Sequence, residues 1–355
     1  MSTDTIHVTP EEIVRFVTEL LVAEGVPEND AATVAECLVE ADLRGVDTHG
    51  VVRLPGYIDR VHQGLINPRP DMKFEQVAPV AASLDGENGF GFVIARRAMD
   101  AAIDMAEGSG VGLVSVRRST HFGMAASYIL QAMRRGMAAI VFSNASQALP
   151  PWGGRQEMFG TNPLAFGVPV GKEGDFLLDM SPCVAARGKI RRALRQGVEI
   201  PLGYALDSDG QPTTDPAKAL EGVLLPIGGY KGSGLSIMVD IMAGVLSGAA
   251  YGGDVRNQYQ DFENPQNVGH FMLAFKADLF LPMDQIHDRM DTLTQRVRSA
   301  PKAEGFDEIL MAGEPERRRE EAHRASGIPY SLKDLEPLLT RAEKHGLAPL
   351  AARNT

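Results

Sequence analysis

The sequence has little with which to build a metal centre or a disulfide framework. Its only cysteines, Cys37 and Cys183, lie far apart in apolar or mixed surroundings, which fits a reducing compartment and two buried thiols. There is no H-E-x-x-H and no paired C-x-x-C to hold zinc, so no metal is expected. There is no G-x-x-x-x-G-K-[ST] to cradle a nucleoside triphosphate and no G-x-S-x-G elbow to present a serine nucleophile. Positive charge is also short: Lys and Arg number 35 against 46 Asp and Glu, a formal charge of -11, with no basic stripe. A phosphate backbone would meet net repulsion, so nucleic acid is not an expected partner, although a local pocket of Arg or Lys can still take a small anion. No window approaches ~18 uninterrupted apolar residues, and the greasiest stretch, LSIMVDIMAGVLSGAA, carries Asp240. The N-terminus has no basic segment followed by an apolar one. A cytoplasmic protein without a membrane partner is the expectation.

What is present is material for two or three domains, since 355 residues exceed the size at which one core stops growing, ~250 to 300 residues. T-P-E-E from Thr9 is a capping signal, followed by apolar residues at helical spacing through Ile13, Phe16, Leu20 and Leu21; a second helix is expected from about Asn29 to Leu43. Residues 73–85 read as strand, residues 94–107 as helix. VGLVSV and MAAIVFSN read as buried strands separated by a helix over residues 124–135. After Pro150 the chain becomes loop-rich; then come a helix from about Gly232 to Gly248, strand-like FMLAFK and charged helices after Met283. The pattern is α/β, with soft borders near Gln63 to Pro70 and near Leu281.

Three constellations could carry chemistry. In D-T-H-G-V-V-R-L-P-G-Y, residues 47–57, a helix starting just after His49 would place Arg53 and Tyr57 one turn apart on one face, with His49 at its mouth. Reducing a ketone needs a proton for the developing alkoxide, which His can supply, and a fork of donors for a carboxylate, which Arg provides; Thr48 could orient the imidazole. The same residues also suit a capped helix start with a surface Arg. R-S-T-H-F-G places His121 between a strand end and a helix start, where open sheets bind ligands. G-G-Y-K-G-S-G could set Lys231 and the amides around Gly232 and Ser233 against a phosphate, or be a tight turn. G-F-G-F-V-I-A, residues 89–95, only half matches a dinucleotide fingerprint.

Taken together, RGVDTHGVVRLPGY, STHFG, FGTNPLAFGVP, LLDM, DGQPTTDP, GGYKGSGLSIMVDI and MAGEPERRR resemble the malate/L-lactate dehydrogenase family of NAD(P)-dependent oxidoreductases over nearly the whole chain. That family also holds ureidoglycolate and sulfolactate dehydrogenases, diketogulonate reductase and piperideine-2-carboxylate reductases. The resemblance implies a non-Rossmann α/β nicotinamide-binding domain with a mixed sheet, residues 69–281. It also implies a helical domain formed by residues 1–68 with 282–355, and a homodimer. It implies NAD or NADP as cofactor and a small anionic 2-oxo or 2-hydroxy acid as substrate. Residue by residue, it puts His49 and Thr48 at the reacting centre, Arg53 and Tyr57 with Thr161 at the substrate, and His121 as a second candidate acid/base beside the nicotinamide. Phe122, Gly123, Asp179, Met180, Ser181, Lys231, Gly232, Gly313 and Glu314 match positions lining the cofactor. Lys189 stands where the imine-reducing branch has Asp, which favours a ketone acid over a cyclic imine acid and makes Lys189 a catalytic candidate. Ureidoglycolate oxidation stays open on the same scaffold. A metal-dependent hydrolase on His49, His121 and the aspartates lacks any close ligand spacing. Arg317, Arg318 and Arg319 could meet a 2'-phosphate or form a solvated helix face.

Overall fold

The computed structural model describes residues 5–169 and 171–352. Strand β1 (Thr5–Val8) leads into helix α1 (Pro10–Ala23), capped as the sequence expects: the Thr9 hydroxyl accepts the Glu12 amide at 3.3 Å, and Pro10 sits where a missing amide hydrogen costs nothing. Ile13, Phe16, Leu20 and Leu21 are fully buried, and α1 packs on α2 (Glu28–Leu43). The helix expected straight after His49 starts later. Two single 3-10 turns, Asp47–His49 and Val51–Arg53, come first, and α3 (Leu54–His62) follows. Gly50 is the cause, being extended at φ -90° and ψ -159° between the two turns.

The next segment builds a sheet. Strands β2 (Lys73–Ala78) and β3 (Ala81–Asp85) form a hairpin, α4 (Gly91–Ser109) crosses over, and β4 (Val111–Ser119) pairs parallel to β3. Gly112 lets α4 lie close, since a Cβ there would stand 2.1 Å from the Ala102 carbonyl oxygen. Then come α5 (Ala126–Met133), β5 (Met137–Ser143), the small ribbon β6 (Gln147–Leu149) with β7 (Phe159–Gly160), β8 (Leu164–Val168) and β9 (Phe176–Met180). A satellite of α6 (Arg187–Gln196), β10 (Ala205–Leu206), β11 (Pro212–Thr213), α7 (Pro216–Glu221) and β12 (Val223–Leu224) has its own small core around Ile190 and Leu224. Helix α8 (Tyr230–Asp240) runs into a π turn (Ile241–Val245), and β13 (Val268–Lys276) inserts between β4 and β5.

The seven-stranded order is β2-β3-β4-β13-β5-β8-β9, and among its pairings only β3 with β4 is parallel. Such a sheet is mixed and is no doubly wound Rossmann sheet, for which the strands would have to run parallel. This explains the incomplete fingerprint at residues 89–95, which open α4 instead.

The charged end of the chain forms α9 (Met283–Arg298), α10 (Glu314–Ser326), β14 (Ile328–Ser331) and α11 (Leu332–Lys344). Strand β14 pairs antiparallel with β1, Thr5 opposite Ser331, so both chain ends close one helical core with Phe16, Leu38, Ile58 and Leu335. Helix α9 lies elsewhere, where Asp291 accepts the amides of Lys172 and Glu173. Cys37 and Cys183 are buried free thiols, as expected. Among the described residues no helix is long and apolar enough to cross a membrane.

Candidate active site

The site begins with a buried carboxylate. Asp42, near the end of α2, accepts the Val51 amide at 2.9 Å and the Tyr330 hydroxyl at 2.7 Å, so it ties the loop of residues 47–53 to the C-terminal strand. No side chain fits at Gly50, because a Cβ there would come within 1.6 Å of an Asp42 oxygen. Burial pushes the Asp42 carboxyl up to about 7, against two donors that favour its charge.

On this loop Thr48 Oγ1 lies 2.9 Å from His49 Nδ1, leaving His49 Nε2 without a partner among the described residues. The Arg53 guanidinium folds back on the loop: Nε donates to the Thr48 carbonyl, and Nη1 donates to the Tyr259 hydroxyl. One turn further along α3, Tyr57 is buried and its hydroxyl sits 2.8 Å from His121 Nδ1. The rings of His49 and His121 stack with centroids 5.5 Å apart. His49, Tyr57 and His121 therefore form one cluster with Arg53 at its edge.

His121 is held from three sides. Its backbone amide donates to Gln266 Oε1 at 3.1 Å, and its Nδ1 accepts the Gly123 amide at 3.3 Å as well as facing Tyr57. An acceptor role for Nδ1 puts the ring proton on Nε2. Gly123 has φ +76° and abuts Phe92, so the turn that aims this amide needs glycine. Burial, and then the neighbouring His49 and Arg53, hold His121 well below its ordinary pKa; burial and Arg53 bring His49 down to about 4. Burial keeps the Tyr57 phenol protonated. At neutral pH both imidazoles are neutral. Behind them His270 is fully buried between Ser143 Oγ at 2.9 Å and Ser119 Oγ at 2.8 Å, stacked on Phe122 at 4.6 Å.

The remaining candidates fall into two groups. Lys231 is exposed at the start of α8, and its ammonium makes no ion pair among the described residues. Ser181 accepts the Cys183 amide at 3.3 Å and keeps its own proton to donate; Ile227 donates to the Pro182 carbonyl, which brings this stretch beside the GGYKGSG turn. Asp179 is an exposed carboxylate that accepts the Ala126 amide at the start of α5, and Met180 is half-buried next to it. A cation, a hydroxyl donor and a carboxylate suit the phosphates and ribose hydroxyls of a dinucleotide.

Several other positions are spoken for. The Gly232 and Ser233 amides, expected to face a phosphate, donate to the Ile227 and Gly229 carbonyls instead, and a Cβ on Gly232 would stand 2.3 Å from Ile227 O. Glu314 is buried, with its oxygens taken by Arg298 at 3.1 Å, Arg318 at 2.7 Å and the Met311 amide; Gly313 turns with φ +88° against Leu177. Arg317 pairs with Glu321, Arg318 with Glu308 and Glu314, and Arg319 reaches the Gly45 carbonyl, which favours the solvated-face reading of these arginines. Thr161 is half-buried beside Asn162, whose amide bridges Ala145 and Ser236. Lys189 stands exposed on α6 in the satellite, with no hydrogen bond or ion pair from its ammonium among the described residues. No group of three or more metal-ligating side chains occurs among the described residues.

Sequence reasoning missed Asp42, Tyr259, Gln266 and His270. The last sits on a strand whose apolar run hides it; Tyr259 and Gln266 meet the site from over long sequence distances, and Asp42, though only nine residues before Val51, sits at the end of a helix with no motif to single it out.

A family model described as malate/L-lactate dehydrogenase matches residues 8–355. The chain is 40% identical over 312 residues to L-sulfolactate dehydrogenase of Methanocaldococcus jannaschii, covering 87% of this chain and 89% of the relative. It is 38% identical over 353 residues to malate dehydrogenase of Pyrococcus abyssi, 97% of this chain and 96% of the relative. A solved structure of the M. jannaschii sulfolactate dehydrogenase superposes with TM-score 0.91 at 37% identity, over 96% of this chain and 98% of that one.

Proposed function

The chain belongs to the malate/L-lactate dehydrogenase family, and from that premise we propose that it interconverts a small 2-oxo acid and its 2-hydroxy acid, of the malate, lactate or sulfolactate type. It is an NAD(P)-dependent 2-hydroxy acid dehydrogenase. The observation that carries the substrate reading is the closure of His49, His121 and Tyr57 into one cluster with the Arg53 guanidinium at its edge.

The nicotinamide, when bound, supplies or accepts the hydride at the carbinol carbon. Lys231 and Ser181 would hold its phosphates, and Asp179 its ribose hydroxyls. Arg53 takes the substrate carboxylate with its forked donors, which orients the reacting carbon toward the two imidazoles. The histidines divide the remaining work. His121, with its proton on Nε2, donates a hydrogen bond to the substrate oxygen and stabilises negative charge there. His49, neutral and with Nε2 free, accepts the hydroxyl proton in oxidation and returns it in reduction, while Thr48 steadies its other nitrogen. Tyr57 locks the His121 ring from the far side.

The Lys189 ammonium makes no hydrogen bond or ion pair among the described residues, so its argument against a cyclic imine acid rests on the resemblance alone, and reduction of that acid belongs in the test. Purified protein is mixed with NADH or NADPH and a panel of oxaloacetate, pyruvate, sulfopyruvate, 2,3-diketogulonate and piperideine-2-carboxylate, and loss of nicotinamide absorbance is followed. Turnover of an open-chain 2-oxo acid is expected; turnover of the cyclic imine alone refutes this reading. Sedimentation of the same preparation checks the proposed homodimer.

A further inference from the structure

Residues 257–267 form no regular element, yet the segment is firmly built. Asn257 Oδ1 accepts the Tyr259 amide at 2.9 Å, and Asp261 Oδ1 accepts the amides of Glu263 at 3.0 Å and Asn264 at 2.9 Å. Against it lies Arg60 of α3, 1% exposed. Its Nη1 donates to the carbonyls of Gln258 at 3.3 Å and Asp261 at 2.8 Å, and its Nη2 to that of Asn264 at 3.3 Å. Burying a guanidinium is costly unless its donors are met; here the backbone of a single loop takes both terminal nitrogens, while Nε has no partner among the described residues. Arg60 thus fixes that loop to the helix that also carries Tyr57.

The loop delivers Tyr259 to Arg53. The phenol oxygen accepts from Arg53 Nη1 and from Gln258 Nε2, the latter at 2.9 Å, and the guanidinium carbon lies 5.3 Å from the ring centroid. A phenol has two acceptor lone pairs and one donor hydrogen. Both lone pairs are engaged, so the hydroxyl proton is left to donate, and no acceptor for it is found among the described residues. A neutral donor and a cationic one thus stand side by side at the mouth of the histidine cluster.

We propose that Tyr259 is a substrate-binding residue. Its hydroxyl and the Arg53 guanidinium form a two-donor seat for the carboxylate of the acid, and Arg60 is the positioning residue that holds the tyrosine half of that seat. The inference rests on the reading above in which Arg53 receives the carboxylate. A seat with two unlike donors selects a planar anion able to span both, and disfavours neutral alcohols and amides.

The test measures KM for L-malate, or for the fastest acid of the panel. Calorimetry with oxalate, a planar probe, on the enzyme loaded with NADH gives an independent Kd. Tyr259→Phe removes one hydroxyl from a half-exposed ring and leaves the fold alone; KM and the oxalate Kd are expected to rise about ten-fold, with kcat within about two-fold. Arg60→Met is expected to raise KM similarly. Should that variant not be recovered folded, Arg60→Lys, which keeps the charge but not the three-carbonyl fork, gives the same readout. If Arg53→Ala weakens oxalate while Tyr259→Phe does not, the seat is overturned and the carboxylate reading stands. If neither variant moves it, both fall. A drop in Tm for the Arg60 variant without a change in KM overturns its positioning part.

Discussion

Asp42→Asn isolates the cost of the buried carboxylate on which the reactive loop is built. In the folded protein this carboxyl is raised from 3.8 to about 7 by burial. Between roughly pH 4 and pH 7 the native state therefore keeps a proton that the unfolded chain has already lost. Stability conferred by that proton is full below the unfolded value and declines as pH rises, until the folded group has ionised as well. At about 1.36 kcal/mol per unit, the whole decline is on the order of 4 kcal/mol. Asparagine retains an acceptor for the Val51 amide and the Tyr330 hydroxyl, both of which bond the same carboxylate oxygen, and it does not ionise. Urea unfolding of parent and variant, followed by circular dichroism at several pH values from about 4 to 8, gives the difference directly. The variant should gain on the parent as pH rises and gain nothing further above about pH 8. A difference that stays flat would refute the reasoning, because it would mean that the two donors fully compensate burial and that the carboxylate ionises in its ordinary range.

Three further outcomes test the geometry. Tyr57→Phe removes the hydroxyl beside His121 Nδ1 and should lower kcat about ten-fold with little change in KM; an unchanged kcat takes Tyr57 out of the cluster's work. Gly50→Ala must displace the Asp42 oxygen 1.6 Å from the new methyl, so a loss of about 2 to 4 kcal/mol in unfolding free energy is expected, and a parent-like Tm would show that the loop yields easily. With His49 down at about 4, kcat/KM for hydroxy-acid oxidation should stay level from neutral pH to about pH 5 and fall below that as the base is protonated; a midpoint between 6 and 7 would assign the limiting base elsewhere.

The parts of the site that could be read from sequence are those whose chemistry and spacing are local. His49, Arg53 and Tyr57 lie within one short stretch, and His121 follows a recognisable strand end, so residue type and position sufficed. The α3 start was misplaced because helical spacing does not reveal that Gly50 is extended, and the reason for that glycine is Asp42, whose side chain folds back from the end of α2 onto the loop. Tyr259, Gln266 and Tyr330 carry no motif; they matter only because the fold brings them to Arg53, His121 and Asp42. Gly232 shows the converse, since a glycine-rich turn that suits a phosphate is explained here by close packing on Ile227.

The pairing of β1 with β14 has a consequence for how the molecule is made. On the ribosome the loop bearing His49 and Arg53 emerges long before Tyr259 and the Tyr330 that anchors Asp42, and β1 has no partner until Ile328–Ser331 has been synthesised. The nascent chain must therefore wait with its opening strand unpaired and its buried acid without one of its donors. Translation must pass Ile328–Ser331 before the first turnover, and a chain released before that point leaves an edge strand open to its neighbours.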